Sequence, residues 1–293
     1  MKKNADGNGR AVTVGTFDGV HRGHKEVLRA LKEYSERNGL HPLVITFDRH
    51  PLETVAPARA PKLLQSREER DELIRGTGVE VEEVAFTPAL CALTAGEWME
   101  ILRDRYDAKA LITGYDNKFG SDGRGLTPSD YRRLGEERGL IVETAGELPG
   151  VCSTFIRRAL EKGEVKEATE MLGREYALKG EVVNGRHLGR KLGFPTANLD
   201  ISRRMLLPGK GVYAARLEGM PAVVNIGDNP TIESGNPVTV EAHVIGFEGD
   251  LYGKVVKLSF VDRIRNEEKF DSLDSLREQI ERDKEEAERI LGI

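Results

Sequence analysis

The stretch Val12-Thr13-Val14-Gly15-Thr16-Phe17-Asp18-Gly19-Val20-His21-Arg22-Gly23-His24 decides the fold of the first half of this 293-residue chain. Its β-branched start predicts a strand, Gly15 and Gly19 predict a turn, and the following apolar residues recur at helical spacing: Val27, Leu28, Leu31 and Tyr34. A strand, a glycine-containing turn and a helix N-terminus together form an anion site, because free backbone N–H groups and the helix dipole face the ligand. The stretch therefore predicts a phosphate site in an α/β domain.

The two histidines of this stretch are candidate catalytic residues. His21 and His24 stand three residues apart, and their imidazoles are donors that can follow phosphate charge as it develops. Gly23 between them lets backbone approach a ligand closely. Alone, His-x-Gly-His is equally typical of a turn with two solvated histidines, but the preceding strand and following helix favour nucleotide binding. The same turn supplies the other predicted nucleotide contacts, Gly15, Thr16 and Phe17.

The form Gly-Thr-Phe-Asp-Gly-Val-His-x-Gly-His resembles the signature of the nucleotidyltransferase superfamily that uses a histidine pair on a Rossmann-like sheet. It is most similar to the FAD synthetase branch of that superfamily. Tyr115-Asp116-Asn117-Lys118-Phe119-Gly120 stands where that branch more commonly has Asp-Phe-x-Phe-Gly. The resemblance implies that Asp116 and Phe119 contact flavin.

Strands and helices alternate through the rest of the first half. Residues 42–47 are a predicted buried strand that ends in Asp48-Arg49-His50-Pro51. Ligands of open parallel sheets bind at that carboxyl edge, so His50 is either a flavin contact or a plain loop histidine. Further predicted strands at 80–86, 108–114 and 140–144 are separated by helices, and hairpin signals are lacking. This alternation predicts a Rossmann-like parallel sheet with helices on both faces.

Cys152-Ser153-Thr154-Phe155-Ile156-Arg157-Arg158 opens a predicted helix with Ser153 or Thr154 as its cap. In one interpretation the hydroxyls only cap the helix and the arginines are solvated. In the other, the hydroxyls and N–H groups bind phosphate oxygens and Arg157 neutralises their charge. We favour this second phosphate clamp. The motif resembles Ser-Ser-Thr-x-Ile-Arg of FAD synthetases, with Cys152 in place of the first serine.

The pattern changes near Gly173, which divides the chain into predicted domains of residues 1–173 and 174–293. Beyond it, about six β-branched runs are separated by glycine and proline turns without intervening helices, and a charged helix follows at about 272–290. This predicts a small antiparallel barrel with a C-terminal helix.

The second candidate site lies in residues 185–199, where three glycines and three basic residues can wrap a polyphosphate. The predicted phosphate contacts there are Gly185, Gly189, Arg190 and Gly193. Thr196 and Asn198 stand two apart on one side of a strand and are neutral oxygen donors that suit magnesium. In residues 238–244, strict alternation places Glu241 opposite to the valines, where it is either a solvated outer-face residue or a general base.

This region resembles riboflavin kinase. The resemblance rests on Gly-Arg-Lys-Leu-Gly-Phe-Pro-Thr-Ala-Asn-Leu at 189–199 and on five shorter matches: Gly211-Val212-Tyr213, Asn225-Ile226-Gly227 with Pro230-Thr231, Leu251-Tyr252-Gly253, Arg265, and Lys269-Phe270. It implies a six-stranded Greek-key barrel, magnesium and ATP held at Thr196 and Asn198, and Glu241 as the base. It also implies nucleotide contacts at Pro195 and Tyr213 and flavin contacts at Asn225 and Arg265.

Together the two halves resemble the bifunctional bacterial riboflavin kinase/FAD synthetases. The resemblance implies phosphorylation of riboflavin to FMN by ATP and adenylylation of FMN to FAD with release of pyrophosphate, with Mg²⁺ as cofactor. One alternative is cytidylyl transfer in the first domain, against which the kinase-like second half argues. A second is a flavin-binding regulator with decayed sites, against which the intact His21, His24, Thr196, Asn198 and Glu241 argue.

Composition narrows the possible partners. A net charge of −5 argues against a duplex nucleic-acid binder, and the lack of interleaved basic and aromatic residues argues against an RNA-binding barrel. Cys91 and Cys152 cannot build a disulfide framework. Neither a signal peptide nor a spanning apolar segment is recognisable, so we expect a cytoplasmic protein without a membrane partner, either a monomer or a weak homo-oligomer.

Overall fold

A computed structural model describes residues 8–115, 117–185, 193–228 and 238–293. The chain forms two compact units, of which the first extends to Lys62 and continues from Ser66 to Cys152. The second unit comprises Leu63–Gln65 and Ser153–Ile293. Among the described residues, no helix is both long enough and apolar enough to cross a membrane.

The first unit contains a five-stranded parallel sheet in the order β3-β2-β1-β4-β5. Its strands are β1 (Arg10–Val14), β2 (His41–Phe47), β3 (Glu80–Val84), β4 (Ala108–Thr113) and β5 (Ile141–Thr144). Its helices are α1 (Arg22–Asn38), α2 (Pro51–Val55), α3 (Arg67–Arg75), α4 (Pro88–Ala92), α5 (Ala95–Tyr106) and α6 (Pro128–Glu136). The predicted α/β fold is therefore confirmed.

Alternation along the central strand builds a core on each face of this sheet. Val12 and Val14 of β1 belong to a buried cluster with Trp98 and Leu102 of α5. Ala11 belongs to the opposite cluster, whose members from α1 are Val27, Leu28, Leu31 and Tyr34. The predicted apolar face of α1 is thus observed, and Trp98 packs into the core on the other face.

The second unit begins with α7 (Ser153–Lys162) and α8 (Val165–Leu172). Six strands then close into a barrel in the order β10-β7-β6-β11-β8-β9, and every neighbouring pair is antiparallel. They are β6 (Tyr176–Val183), β7 (Ala197–Ile201), β8 (Gly211–Leu217), β9 (Met220–Asp228), β10 (Val238–Val244) and β11 (Val255–Arg265), and α9 (Leu273–Leu291) follows. The predicted barrel and C-terminal helix are confirmed.

Side chains fill the barrel, and α9 covers part of its outside. Tyr176, Tyr213 and Phe260 are fully buried, with ring centroids 5.5 Å apart for Tyr213 and Phe260. On the outer face, residues of β8 and β9 form a cluster with α9: Val212, Ala214, Val223, Ala287 and Leu291. Because the interior is packed, a small-molecule site of this barrel must lie on its outer face or at its ends.

Helices α7 and α8 group with the barrel unit, although the sequence assigns them to the first domain. The guanidinium of Arg263 on β11 donates to the carbonyl of Lys162, with 3.0 Å from Nη1 to O. The N–H of Gly209 donates to the carbonyl of Leu160, at 2.8 Å. Both contacts join residues that are far apart in the sequence, so no local pattern indicates them. The domain boundary at Gly173 stays a prediction.

Candidate active sites

The carboxyl edge of the parallel sheet carries the histidine pair. Strand order reverses between β2-β1 and β4, and ligand crevices of open α/β sheets form at such a point. Strand β1 ends at Val14, and α1 begins at Arg22 with His21 as its N-cap. The turn between them therefore lies where a nucleotide binds in this class of fold.

The two imidazoles lie against each other. Their ring centroids are 3.7 Å apart with an interplanar angle of 18°. The Nδ1 atom of His21 accepts a hydrogen bond from the backbone N–H of His24, at 3.3 Å. A Cβ atom on Gly23 would lie 3.2 Å from the His21 ring and 3.3 Å from the carbonyl oxygen of Val151. Gly23 thus makes room for the His21 ring as well as for any ligand.

The backbone of the turn adopts a conformation that few side chains favour. Phe17 and Val20 have φ angles of 49° and 33°, in the left-handed region. Phe17 is 3% exposed and its ring lies 5.0 Å from that of His24. Such strain persists where surrounding structure enforces it, often at functional sites. The predicted nucleotide contacts Gly15, Thr16 and Phe17 lie in or next to this constrained turn.

The loop after β4 is fastened to the same edge of the sheet. The side-chain amide of Asn117 donates to the carbonyl of Val14, at 2.6 Å. Phe119 is 9% exposed, and its backbone exchanges two hydrogen bonds with the Tyr131 hydroxyl, at 3.1 and 2.9 Å. Asp116, the other predicted flavin contact, lies outside the described residues. The flavin contact of Phe119 stays a prediction, and its ring packs against that of Tyr131 with centroids 4.8 Å apart.

The predicted flavin contact His50 caps a short helix. Its Nδ1 atom accepts from the N–H of Leu52 at 3.1 Å, and its own N–H donates to Glu53 at 3.2 Å. Nearby, the Asp48 carboxylate accepts the N–H of Phe86 at 2.8 Å and pairs with Arg49. Because the guanidinium of Arg49 stabilises the charged form, the pKa of Asp48 lies below its ordinary value. His50 is thus placed by local capping at the carboxyl end of β2.

The predicted second phosphate clamp forms the first turns of α7. Ser153 and Thr154 open the helix, Ile156 is buried, and Arg157 is half-buried. These residues belong to the barrel unit, whereas the histidine pair belongs to the parallel-sheet unit, and each unit is described by itself. Their joint action on one nucleotide stays a prediction.

On the barrel, three polar residues form a row across neighbouring strands. Glu241 of β10 is the register partner of Asn198 on β7 and of Asn225 on β9. Register partners point to the same face of a sheet, so the carboxylate lies between two amides. Glu241 alternates with the buried Val240 and Ala242, which places the row on the outer face. The structure thus brings together three of the residues singled out from the sequence.

Gly185 provides the space for one end of this row. A Cβ atom on Gly185 would collide with the side-chain amide of Asn198. Gly193 has a φ of 90°, a left-handed conformation that suits glycine, and starts the segment that leads to Thr196. The other predicted phosphate-loop residues, Gly189 and Arg190, lie outside the described residues.

The structure places two predicted ligand contacts of the barrel in packing roles. Tyr213 is fully buried, its hydroxyl donates to the carbonyl of Gly209, and burial raises its pKa. The guanidinium of Arg265 is bound by Asp283 of α9, with Nε–Oδ1 at 2.8 Å and Nη2–Oδ2 at 2.7 Å. Interior packing thus engages Tyr213, and a salt bridge to α9 engages Arg265, while their ligand contacts stay predictions.

Three residues near the row were not predicted as site residues. His243 lies on the same strand and face as Glu241, and its Nδ1 atom is 2.9 Å from the carbonyl oxygen of Pro195. The carboxylate of Glu267 occupies the space that a Cβ atom on Gly227 would take. Asp283 is 3% exposed although it is charged. Alternation in β10 gave a signal for His243; no local pattern marks the other two.

These arrangements define a class of protein. A parallel sheet with a histidine pair at its topological switch point, followed by a closed barrel with a carboxylate between two amides, is the architecture of a two-module, nucleotide-dependent transferase. A family model described as FAD synthetase matches residues 3–152, and one described as riboflavin kinase matches residues 172–291. The chain belongs to the family of bifunctional riboflavin kinase/FMN adenylyltransferases.

Relatives match almost the whole chain. The bifunctional riboflavin kinase/FMN adenylyltransferase of Escherichia coli K12 is 36% identical over 97% of this chain and 94% of its own length. That of Bacillus subtilis 168 is 32% identical over 95% and 91%. A crystal structure titled as a macrolide-efflux protein from Streptococcus pneumoniae superposes with a TM-score of 0.84 at 33% identity, covering 94% of this chain and 93% of that one.

Proposed function

We propose that the outer face of β10 phosphorylates riboflavin to FMN, and that the turn after β1 adenylylates FMN to FAD. The observation that carries the first assignment is the row Asn198–Glu241–Asn225, in which one carboxylate is flanked by two amides. The stacked His21–His24 pair at the N-terminus of α1 supports the second. Both assignments agree with the family to which the chain belongs.

In the kinase step, Glu241 accepts the proton of the ribityl 5′-hydroxyl of riboflavin. The hydroxyl oxygen forms its bond to the γ-phosphorus of ATP while the bond to the β-phosphate oxygen breaks and ADP departs. Asn225 and Asn198 flank the carboxylate and orient it through their positions on the adjacent strands.

The residues at the start of β7 fit a magnesium ion. Thr196 and Asn198 offer a hydroxyl and an amide oxygen two residues apart, and hard divalent cations prefer such oxygen ligands. Gly185 leaves the space that the Asn198 amide occupies. When bound, the ion would neutralise charge on the ATP phosphates. We therefore assign Thr196 and Asn198 as its protein ligands.

The adenylyl-transfer step requires different catalytic groups from those of the kinase step. The FMN phosphate is already an anionic nucleophile, so its oxygen attacks the α-phosphorus of ATP without a strong base, and pyrophosphate departs. The barrier lies in bringing anions together and stabilising the charge at the α-phosphate. His21, His24 and the backbone N–H groups at the start of α1 are the donors that we assign to this task.

Matched variants of the full chain test both assignments. The protein is incubated with riboflavin, ATP and Mg²⁺, and the flavins are separated by chromatography over time. We expect Glu241→Gln to reduce FMN formation at least about a hundredfold while leaving FAD formation from supplied FMN unchanged, because general base catalysis contributes roughly 10²–10⁴-fold. His24→Ala should show the opposite pattern.

Each variant is the folding control of the other, because each should retain one activity in full. Phosphorylation at the normal rate in Glu241→Gln would refute the base assignment. Loss of both activities in either variant would instead mean that the two sites are not independent.

A further inference from the structure

We infer that His243 is a positioning residue of the kinase site, which holds the chain at Phe194–Thr196 so that Thr196 and Asn198 stay beside Glu241. The inference rests on the proposed kinase function and deepens it. It concerns how firmly a short segment of backbone is held in place, which can be measured without ligands.

The ladder between β7 and β10 is too short to hold this segment. It comprises two register pairs, Glu241 with Asn198 and Ala242 with Ala197. One step further, the antiparallel register would place His243 opposite Thr196. The residue before Thr196 is Pro195, which has no N–H to donate to a ladder. Backbone pairing therefore ends where the proposed magnesium ligand begins.

The side chain of His243 supplies the missing connection. Its Nδ1 atom lies 2.9 Å from the carbonyl oxygen of Pro195. Because a carbonyl oxygen only accepts, Nδ1 carries the hydrogen and donates it. The ring of His243 also meets Phe194 edge-on, with centroids 5.5 Å apart and an interplanar angle of 84°. One side chain thus holds both residues that precede Thr196.

The place of His243 on the strand connects this contact to the chemistry. His243 stands two residues from Glu241 and therefore on the same outer face of β10. Phe194 is 8% exposed, so the segment is fixed by packing as well as by the hydrogen bond. A ligating hydroxyl is useful only where its supporting residues fix its position, so loosening this anchor should weaken magnesium binding.

Two variants separate the hydrogen bond from the ring contact. His243→Phe keeps a ring against Phe194 but loses the donor. His243→Asn keeps a donor at the same number of bonds from the backbone as Nδ1. Val223→Ala is the matched control, because Val223 is the register partner of His243 on β9 and belongs to the cluster under α9. It perturbs the same strand pair without touching Pro195.

The first measurement is amide hydrogen exchange of the ligand-free full-length protein. We expect a peptide covering residues 194–199 to exchange faster in His243→Phe than in the wild type, and at an intermediate rate in His243→Asn, which keeps the donor but loses the ring contact. Val223→Ala should leave this peptide unchanged. Equal exchange in His243→Phe and the wild type would overturn the inference, as would an equal increase in Val223→Ala.

The second measurement is the magnesium dependence of FMN formation. Losing one hydrogen bond should raise the Mg²⁺ concentration for half-maximal rate about five- to tenfold in His243→Phe. The KM for riboflavin should stay within about twofold, because the flavin does not depend on this anchor in our assignment. An unchanged magnesium dependence would overturn the inference.

Thr196→Ala and Glu241→Gln keep the two proposals distinguishable. If both retain normal kinase activity, the proposed site itself fails. If both lose activity while His243→Phe behaves as the wild type in both measurements, the kinase assignment stands and only the role of His243 is refuted.

Discussion

The salt bridge between the barrel and its C-terminal helix gives a prediction with a calculable size. Asp283 of α9 is 3% exposed and accepts two hydrogen bonds from the Arg265 guanidinium, at 2.8 and 2.7 Å. Gln279 donates to the same carboxylate at 2.9 Å. The side chain of Arg265 is 17% exposed, so little water is available to replace the carboxylate. We predict that Asp283→Ala strongly destabilises the barrel unit.

Removing one member of a buried ion pair typically costs about 3–5 kcal/mol, because the other charge stays buried and uncompensated. Arg265 keeps a hydrogen bond to the carbonyl of Asn266 at 3.0 Å, which favours the lower end of that range. A loss of about 3 kcal/mol in the free energy of unfolding lowers the melting temperature of a unit of this size by roughly 9 °C, at about 3 °C per kcal/mol.

Differential scanning calorimetry of the full chain measures this loss, and FAD formation from supplied FMN reports on the first unit. The control is the double variant Arg265→Met/Asp283→Leu, which removes both charges and keeps apolar volume. Such replacements of buried pairs are often neutral, so the double variant should lie within about 1 kcal/mol of the wild type.

A loss below about 1 kcal/mol in Asp283→Ala would refute this reasoning, as would a double variant as unstable as the single one. The double variant also tests the flavin contact that the sequence predicts at Arg265. If it is stable but has a much higher KM for riboflavin, Arg265 serves the flavin as well as α9.

Three further predictions concern single positions. Gly185→Ala should displace the Asn198 amide and weaken Mg²⁺-dependent FMN formation at least about tenfold. FAD formation from supplied FMN should be unchanged, and parallel assays of one preparation measure both rates. Asn117→Ala should remove the tie to the end of β1, raise the KM for FMN in the adenylyl reaction and leave riboflavin phosphorylation unaltered in steady-state kinetics. Arg49 lowers the folded-state pKa of Asp48, so the stability that this carboxylate contributes is present above its unfolded pKa of about 4 and is lost as the pH falls through the lower folded value. Asp48→Asn should therefore cost about 0.5–1 kcal/mol at pH ~7 and progressively less as the pH falls below ~4, as a series of denaturant titrations would show.

The elements that the sequence predicts well are those whose signal is local. Alternation in residues 238–244 places Glu241 opposite to the valines, and helical spacing places Leu28 and Leu31 on the buried face of α1. The glycine-rich turn before His21 predicts the strand-to-helix junction in the same way. In the strand and the helix, the spacing of the apolar residues alone indicates which face each side chain lies on.

The placements that sequence reasoning missed depend on partners far away in the chain. The motif that contains Arg265 gives no sign that Asp283, eighteen residues later, binds its guanidinium. Tyr213 belongs to a recognisable motif, but the closed barrel buries its ring beside Phe260. Periodicity assigns a residue to a face of a strand, whereas closure and register decide what that face meets.

Closure also explains how the proposed kinase site can lie on the outside of a packed barrel. Glu241 acquires its two amide neighbours only because β10 pairs with β7 on one side and with β9 on the other, and the pairing of β10 with β7 is one that closes the ring. A slip of one residue in either ladder would move the amide to the opposite face and leave the carboxylate beside a hydrophobic side chain. The register that buries Val240 and Ala242 is therefore the same register that aligns Asn198, Glu241 and Asn225, so stability and the proposed chemistry select one strand pairing.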